Sequence, residues 1–178
     1  MTNQSELQQR QLQLNELYKS NSTLALITDS SEVIGINLHD PLRTSVSIND
    51  ELRIPFNVGV HRAVGGDHDF PNPGDILCAA LASCFESTIR MISNRLNIEL
   101  LETRVKASAQ IDVRGTLMID KSIPVGFQTM HVDVVIVAQA RSKNLLETLI
   151  RAAEHSCVIY QTIKQGIPIT ITSKLDTK

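Results

Sequence analysis

Three cysteines are the residues of this chain whose types and spacing could carry chemistry: Cys78, Cys84 and Cys157. A cysteine can pack as a small apolar side chain, bind a metal, or act as a nucleophile once it is a thiolate. No CxxC pair occurs, which disfavours a structural zinc site. A thiolate can also reduce a peroxide, because it becomes a sulfenic acid with which a second thiol condenses to a disulfide.

Cys78 and Cys84 lie in one apolar run, FPNPGDILCAALASCFESTIRM. Asn72 followed by Pro73 is typical of a helix start, and apolar residues then recur in steps of three and four to about residue 97. Six residues of a helix leave the two side chains about 120° apart, so they can share neither a disulfide nor a metal. We interpret Cys78 as a packing residue.

Cys84 and Cys157 are the two cysteines that could meet. A second helix is predicted from about Ser142 to Ser156, and Cys157 continues its apolar face four residues after Ala153. Both cysteines then point toward whatever the two helices bury. Two interpretations stay open: a pair of small buried side chains, or a peroxidatic pair. In the second, Cys84 needs a nearby cation, because a position in the middle of a helix gains little from the helix dipole.

The remaining pattern is one of short strands. A marginal amphipathic helix is predicted at 5–19, and Gly, Asp and Pro make 63–75 a loop. Strands are predicted at 23–29 and 32–39 (a hairpin), at 42–48 and 51–58 around an Asn-Asp turn, and at 103–113, 116–120, 130–138 and 167–171. Because Val135 and Val137 break the alternation of 130–138, its second face is expected to be partly covered. This order indicates an α+β fold with antiparallel strands rather than βαβ repeats.

Composition excludes several classes of protein. The 178 residues are 42% hydrophobic and 20% charged, with a formal net charge of −2, 3% aromatic residues and no tryptophan. This predicts a globular protein without the basic, aromatic surface that nucleic acids require. The polar first 20 residues show no signal sequence, and apolar runs such as 134–138 are too short to span a membrane. Together with the odd cysteine count, this predicts a cytoplasmic protein.

Two segments resemble the OsmC/Ohr family, the osmotically inducible protein C and organic hydroperoxide resistance proteins. NPGDILCAALASCFESTIR is similar to the central helix of that family, and AAEHSCVIYQTI to the segment around its second cysteine. The Val-Gly-Gly loop and the closing Gly-x-Pro segment also fit. The resemblance covers most of residues 40–173, so the chain is predicted to be a divergent member. We divide it into an N-terminal helical extension, 1–20, and an OsmC-like α+β domain, 21–178.

The resemblance implies a fold and an activity. The fold would have antiparallel sheets wrapped around two central helices in an interwoven homodimer. The activity would be reduction of organic hydroperoxides without metal, haem or flavin, with Cys84 as the peroxidatic thiolate and Cys157 as the resolving thiol. An arginine, best matched by Arg43 with Arg53 or Arg62 as substitutes, would activate Cys84. A dithiol such as a dihydrolipoyl protein would reduce the disulfide again.

The chain departs from the family pattern at two positions. Peroxidase members carry a Glu directly after the Asn-Pro, and that Glu holds the activating Arg; here the position is Gly74. Asp75 follows, but one helical step rotates its shorter side chain by about 100°. Val158 stands where members often have Pro after the second cysteine. The alternative function is therefore an OsmC-like module without peroxidase activity that binds a small apolar ligand in the dimer cleft.

Other polar residues are given weaker roles. A solvated loop is favoured over a metal site for the His and Asp residues near the Gly-Gly loop, which are His61, Asp67, His68 and Asp69. His155 could tune the Cys157 thiol, but a His at a helix end more often just complements the helix dipole. Glu86 is expected to be a surface or interface charge.

Overall fold

The structure, a computed structural model, describes residues 5–35, 37–139 and 142–177. The helices are α1 (Glu6–Ser20), α2 (Pro73–Arg95), α3 (Val113–Thr116), α4 (Lys143–Ser156) and α5 (Val158–Gln165). The strands are β1 (Ser31–Val33), β2 (Arg43–Ile48), β3 (Ile54–Gly59), β4 (Glu99–Gln110) and β5 (Thr129–Gln139). All strand pairs are antiparallel, which confirms the predicted α+β class.

Helix α1 docks on the end of α2. Ser5 and Gln8 form a capping box, in which each side chain bonds the backbone N–H of the other. The same two residues bond Asn94: the Ser5 hydroxyl lies 2.5 Å from its Oδ1, and Gln8 Nε2 donates to its backbone oxygen at 2.7 Å. The start of α1 is thus tied to the body of the chain. Residues 1–4 of the predicted extension lie outside the described residues, and the division at residue 20 stays a prediction.

The first sheet has the order β1-β2-β3. The predicted hairpin around Asn49 and Asp50 is confirmed, with Ile48 opposite Ile54 and Arg43 opposite Gly59. The predicted hairpin of 23–29 with 32–39 is wrong. A 3-10 turn, Ser22–Ala25, occupies the first segment, and β1 pairs with β2 instead. Residue 36 of the second segment lies outside the described residues.

The second sheet is the pair β4-β5, with Val105 opposite Val134 and an irregularity between Leu100 and Glu102. Its inner side chains pack on the core, while Val135 and Val137 on the other face stay 37% and 44% exposed within this chain. The predicted strand at 116–120 is wrong: α3 and a turn occupy this stretch, with Met118 in a left-handed conformation at φ 57°.

Helix α2 is the central element and packs against β4, α4, α5 and α1. Its buried face carries Leu81, Phe85, Ile89 and Ile92. It is also long and apolar enough to cross a membrane by length and composition, a test that the core helix of a soluble protein passes as well. Here Phe85 and Ile89 belong to a core completed by Ile92, Ile98, Leu149, Ala153 and Cys157.

The C-terminal part holds one helix more than the sequence predicts. Helix α4 begins at the predicted Ser142 cap and ends at Ser156, and α5 follows after Cys157 alone. Gly166 ends α5 with a positive φ of 68°. The predicted strand at 167–171 is wrong for this chain, because the segment is irregular and Ile169 and Ile171 are 84% and 90% exposed.

The chain exposes far more surface than a compact monomer would. Its accessible area is 14054 Å², whereas the usual scaling for a monomer of this mass gives about 8,600 Å². Apolar side chains of the first sheet contribute, including Val33, Ile48 and Ile54. A surface of this kind is characteristic of an interface.

Candidate functional site: a cysteine pair between three helices

Helix α2 positions Cys84. Asn72 caps the helix by accepting the N–H groups of Gly74 and Asp75, and the Asp75 carboxylate accepts the Asn72 N–H in return, a second capping box. Eleven residues after Pro73, Cys84 lies half-buried on the side of the helix that meets the core. The helix start and phase thus place this sulfur as predicted.

The junction between α4 and α5 positions Cys157. Its backbone N–H donates to Ala153 O at 2.8 Å and closes α4, while its sulfur accepts the Tyr160 N–H at 3.4 Å and caps α5. The prediction put Cys157 on the face of one continuing helix and missed α5. The signal was present: Ile159, Tyr160 and Ile163 recur at helical spacing before Gly166.

The two sulfurs lie 3.2 Å apart, and the Cys157 thiol donates to the sulfur of Cys84. Both cysteines are free thiols, and Cys157 is completely buried. A disulfide requires about 2.05 Å, so an approach of little more than 1 Å would join them. The arrangement can therefore support thiol-disulfide chemistry between residues 73 positions apart.

Burial keeps the Cys157 thiol protonated. Desolvation raises its pKa, and the hydrogen bond to Cys84 acts in the same direction, while the Tyr160 N–H opposes both. A protonated Cys157 is the form that donates a hydrogen bond to Cys84. The pair is thus asymmetric, with a buried donor and a half-buried acceptor.

Cys78 lies apart from this pair by helical phase. It is half-buried, and burial first and the Asp75 carboxylate second raise the pKa of its thiol. Such a thiol is less reactive near neutral pH. This supports its interpretation as a packing residue.

Arg43 is held by three aspartates on neighbouring loops. Its Nε donates to Asp69 at 2.7 Å and its Nη1 to Asp40 at 3.2 Å, and a further ion pair joins it to Asp67. Hydrogen bonds to Asp69 and then Asp40 raise the pKa of Arg43 above its usual range, and Arg43 in turn lowers the pKa of Asp69. Within the described ranges no hydrogen bond joins Arg43 to Cys84, so its catalytic role stays a prediction.

The other two candidate arginines, Arg53 and Arg62, form no ion pair with a carboxylate in the described residues. Arg53 donates to Asp50 O at 3.2 Å inside the β2–β3 turn, and Arg62 starts a 3-10 turn on the surface. Neither is held by a carboxylate in the described residues. Of the three candidate arginines, Arg43 is the one whose side chain pairs with carboxylates of the described residues.

The position of the missing glutamate is filled by an aromatic ring. A Cβ on Gly74 would lie 2.9 Å from Phe127 Cζ and 3.0 Å from Asn72 Oδ1. Asp75 cannot replace that glutamate as a holder of Arg43, because its carboxylate accepts both the N–H and the Nδ2 of Asn72. The carboxylates that hold Arg43 come instead from the segments before β2 and before α2.

Of the weaker candidates, His61, Asp67, Asp69 and His155 are exposed and His68 is half-buried. No cluster of three or more metal-ligating side chains occurs in residues 5–35, 37–139 and 142–177. His61 and His68 contact each other edge to face, with ring centroids 4.6 Å apart, while the nearby aspartates bond Arg43. His155 is exposed in the last turn of α4.

Glu86 joins α2 to β4. It accepts from Arg90 at 2.8 Å and from the Thr103 hydroxyl at 2.6 Å. Burial opposes its ionisation, but these two hydrogen bonds outweigh burial and lower its pKa. The carboxylate is thus half-buried and within the chain rather than a free surface charge.

A model of the family described as OsmC-like protein matches residues 66–172. That range is more than half of the chain and holds both sulfurs, so the chain belongs to the OsmC family. No curated protein matches the chain significantly.

Solved structures share the fold at low sequence identity. An organic hydroperoxide resistance protein OsmC from Legionella pneumophila is 22% identical with a TM-score of 0.58, over 78% of this chain and 90% of that one. An organic hydroperoxide resistance protein from Elizabethkingia anophelis is 20% identical with a TM-score of 0.59, over 79% and 91%. An OsmC-like protein of unknown function from Vibrio cholerae is 13% identical with a TM-score of 0.62, over 77% and 94%. These likenesses establish the OsmC fold.

Proposed function

We propose that this protein reduces organic hydroperoxides through Cys84 and Cys157 and so protects against oxidative stress. The observation that carries the proposal is the 3.2 Å separation of the two sulfurs. The names of two similar structures, both organic hydroperoxide resistance proteins, agree with it. Membership of the OsmC family supports a role in redox or stress protection at the level of the family.

The chemistry follows from the asymmetry of the pair. The Cys84 thiolate attacks the O–O bond, its sulfur takes the terminal oxygen, and the alcohol leaves after gaining a proton. The Cys157 thiol then attacks the Cys84 sulfenic acid, water leaves, and the disulfide forms. An external dithiol, such as a dihydrolipoyl group, restores both thiols by exchange. The two thiols supply both electrons, so this cycle uses no metal or organic cofactor.

Each cysteine suits its assigned role. Cys84 is half-buried and therefore the more accessible of the two sulfurs, as the attacking residue must be. Cys157 is buried, and burial raises the pKa of its thiol, so it stays a thiol beside the Cys84 sulfur until the sulfenic acid forms. We assign the activating cation to Arg43 on the family resemblance, with Asp69 as the carboxylate that fixes its orientation.

A homodimer is part of this proposal. The excess surface, the exposed first sheet and the exposed tail after α5 all support assembly with a second copy. A soluble, cytoplasmic protein is proposed, because a reducing compartment keeps the pair ready as thiols.

The test is consumption of cumene hydroperoxide with dithiothreitol or dihydrolipoamide as reductant. We expect turnover by the wild type, at least a hundredfold less with Cys84→Ser, and little change with the matched control Cys78→Ser. When the dithiol is left out, Cys157→Ser should complete one turnover and accumulate the sulfenic acid, detected by dimedone. Wild-type turnover no higher than that of Cys84→Ser would refute the proposal.

A second candidate function rests on a groove beside Arg43. The groove holds about 480 Å³, and its apolar lining comes from Ile34, Leu38, Pro41 and Phe70. Such a groove suits a small apolar ligand that binds without reaction at the cysteines. A naphthalene probe such as anilinonaphthalene sulfonate should then bind the wild type and bind Phe70→Ser more weakly, with Glu51→Gln as a control. Equal binding by all three proteins would exclude the groove as the site.

A further inference from the structure

The Cys157 sulfur takes part in two hydrogen bonds, one with Cys84 and one with Tyr160. The sulfur donates its hydrogen to Cys84 Sγ at 3.2 Å and accepts the Tyr160 N–H at 3.4 Å. Its backbone has the extended conformation of an N-cap residue, with φ −75° and ψ 113°. The thiol that would close the disulfide is therefore also the cap of α5.

Disulfide formation competes with that cap. To reach a bond length of about 2.05 Å the sulfurs must approach by more than 1 Å, and the torsion about the new bond must settle near 90°. Sulfur is a weak acceptor, and 3.4 Å leaves this N–H···S bond little margin for displacement. The first N–H groups of an α-helix find no partner within that helix, and in α5 the sulfur accepts the N–H of Tyr160.

Apart from its cap, α5 is held by side-chain contacts, with Ile159 and Tyr160 packed against the core. It is eight residues long and none of its residues is fully buried. A tilted contact between the Tyr160 and Phe85 rings, 5.9 Å between centroids, and a bond from Gln161 Nε2 to Glu154 O at 2.7 Å hold it to α2 and α4. A helix this short depends on its caps and contacts, since it is unstable alone.

We infer that α5 is a redox-sensitive element: joining Cys84 and Cys157 in a disulfide removes its N-cap and loosens its first turn. Oxidation of the cysteine pair would then change the conformation of α5 and of the exposed segment that follows it, both of which lie at the surface. The inference uses the cysteine pair of the proposed function but is independent of the hydroperoxide and of its reduction.

Hydrogen exchange read by mass spectrometry tests the inference. Diamide oxidises the pair, taking two electrons and two protons from the thiols and becoming the corresponding hydrazine. We expect the amides of 158–165 to exchange about fivefold faster in the oxidised protein, as for loss of one helix cap, while those of α1 are unchanged. Diamide-treated Cys84→Ser should exchange like the reduced wild type.

A matched pair of variants isolates the cap. Serine is a good N-cap and alanine is not, and neither can form the disulfide. Cys157→Ser should therefore exchange at α5 like the reduced wild type, and Cys157→Ala like the oxidised one. Equal exchange at α5 in reduced and oxidised wild type, with the disulfide verified by mass, would overturn the inference, as would failure of diamide to form it. If Cys157→Ala does not fold, the comparison of reduced and oxidised wild type decides the matter alone.

The further inference and the proposed function can fail separately. Loss of peroxide turnover with a preserved α5 response would reject only the proposed function.

Discussion

At the scale of single residues, the site is a pair of sulfurs in unequal surroundings. Cys157 is buried and caps a helix, while Cys84 is half-buried. This difference supports the proposed roles, with the buried Cys157 as the resolving thiol and the more accessible Cys84 as the peroxidatic one.

The raised pKa of Cys157 predicts a pH dependence of stability. Because the folded state holds this proton more tightly than the unfolded chain does, stability is fully present below the ordinary thiol pKa and falls as the pH rises above it. Urea unfolding at pH 7 and pH 9.5, with a phosphine reductant, should show a smaller loss for Cys157→Ser than for the wild type. Identical losses would mean that Cys157 does not titrate differently on folding.

The residues of the site were predictable to different degrees. Helical phase alone brings Cys84 and Cys157 toward one core, because both helices have clear caps and apolar stripes. The partners of Arg43 were not predictable, since Asp40, Asp67 and Asp69 lie in loops whose course no periodicity specifies. The capping role of Asp75 could be predicted from the sequence, because Asn-x-x-Asp has the spacing of a capping box.

At the scale of elements, the entry of α2 is shaped by a contact between Gly74 and Phe127. The β4–β5 connection folds back until its ring lies over the glycine. A glycine in the first helical turn is intrinsically unfavourable, so this position is kept small by the ring and by the Asn72 cap rather than by helix propensity.

A double-mutant cycle tests that contact. In the Phe127→Ala background, Gly74→Ala should stabilise the fold by up to about 1 kcal/mol, the propensity difference in a helix. In the wild type the same change should gain less or destabilise, because the new Cβ would press on the ring at 2.9 Å. Chemical denaturation of the four proteins gives the coupling free energy. A value near zero would show that the ring moves aside freely.

The elements that sequence analysis predicted correctly are those specified by their own residues. The α2 cap, the β4 alternation and the Asn49–Asp50 turn are local signals. The segments 23–29 and 167–171 have apolar, β-like composition, but a strand also needs a neighbour to bond, and among the described residues no strand pairs with either segment. The short α5 was missed because it follows α4 after a single residue.

At the scale of the whole molecule, the two sheets do not enclose a shared core. The core lies between α2, α4 and β4-β5, whereas Val33, Ile48 and Ile54 of the first sheet remain exposed. A second copy that covers this sheet would bring the surface per chain closer to that of an ordinary folded protein.

The proposed dimer predicts a mass of about 39 kDa by sedimentation equilibrium, twice the 19.7 kDa chain. Ile54→Asp should shift the equilibrium toward the monomer, because it puts a charge into the apolar sheet. Asp50→Lys, in the preceding exposed turn, is the matched control and should leave the mass unchanged. A wild type that sediments as a monomer at micromolar concentration would contradict the dimer.

The distance along the chain between the two sulfurs has one further consequence. A disulfide between positions 73 apart would lower the conformational entropy of the unfolded chain. By the loop-entropy estimate, this raises the free energy of unfolding by roughly 4 kcal/mol. The same oxidation that frees one turn of α5 would thus make the whole chain harder to unfold. Local order and global stability would change in opposite directions in one chemical step.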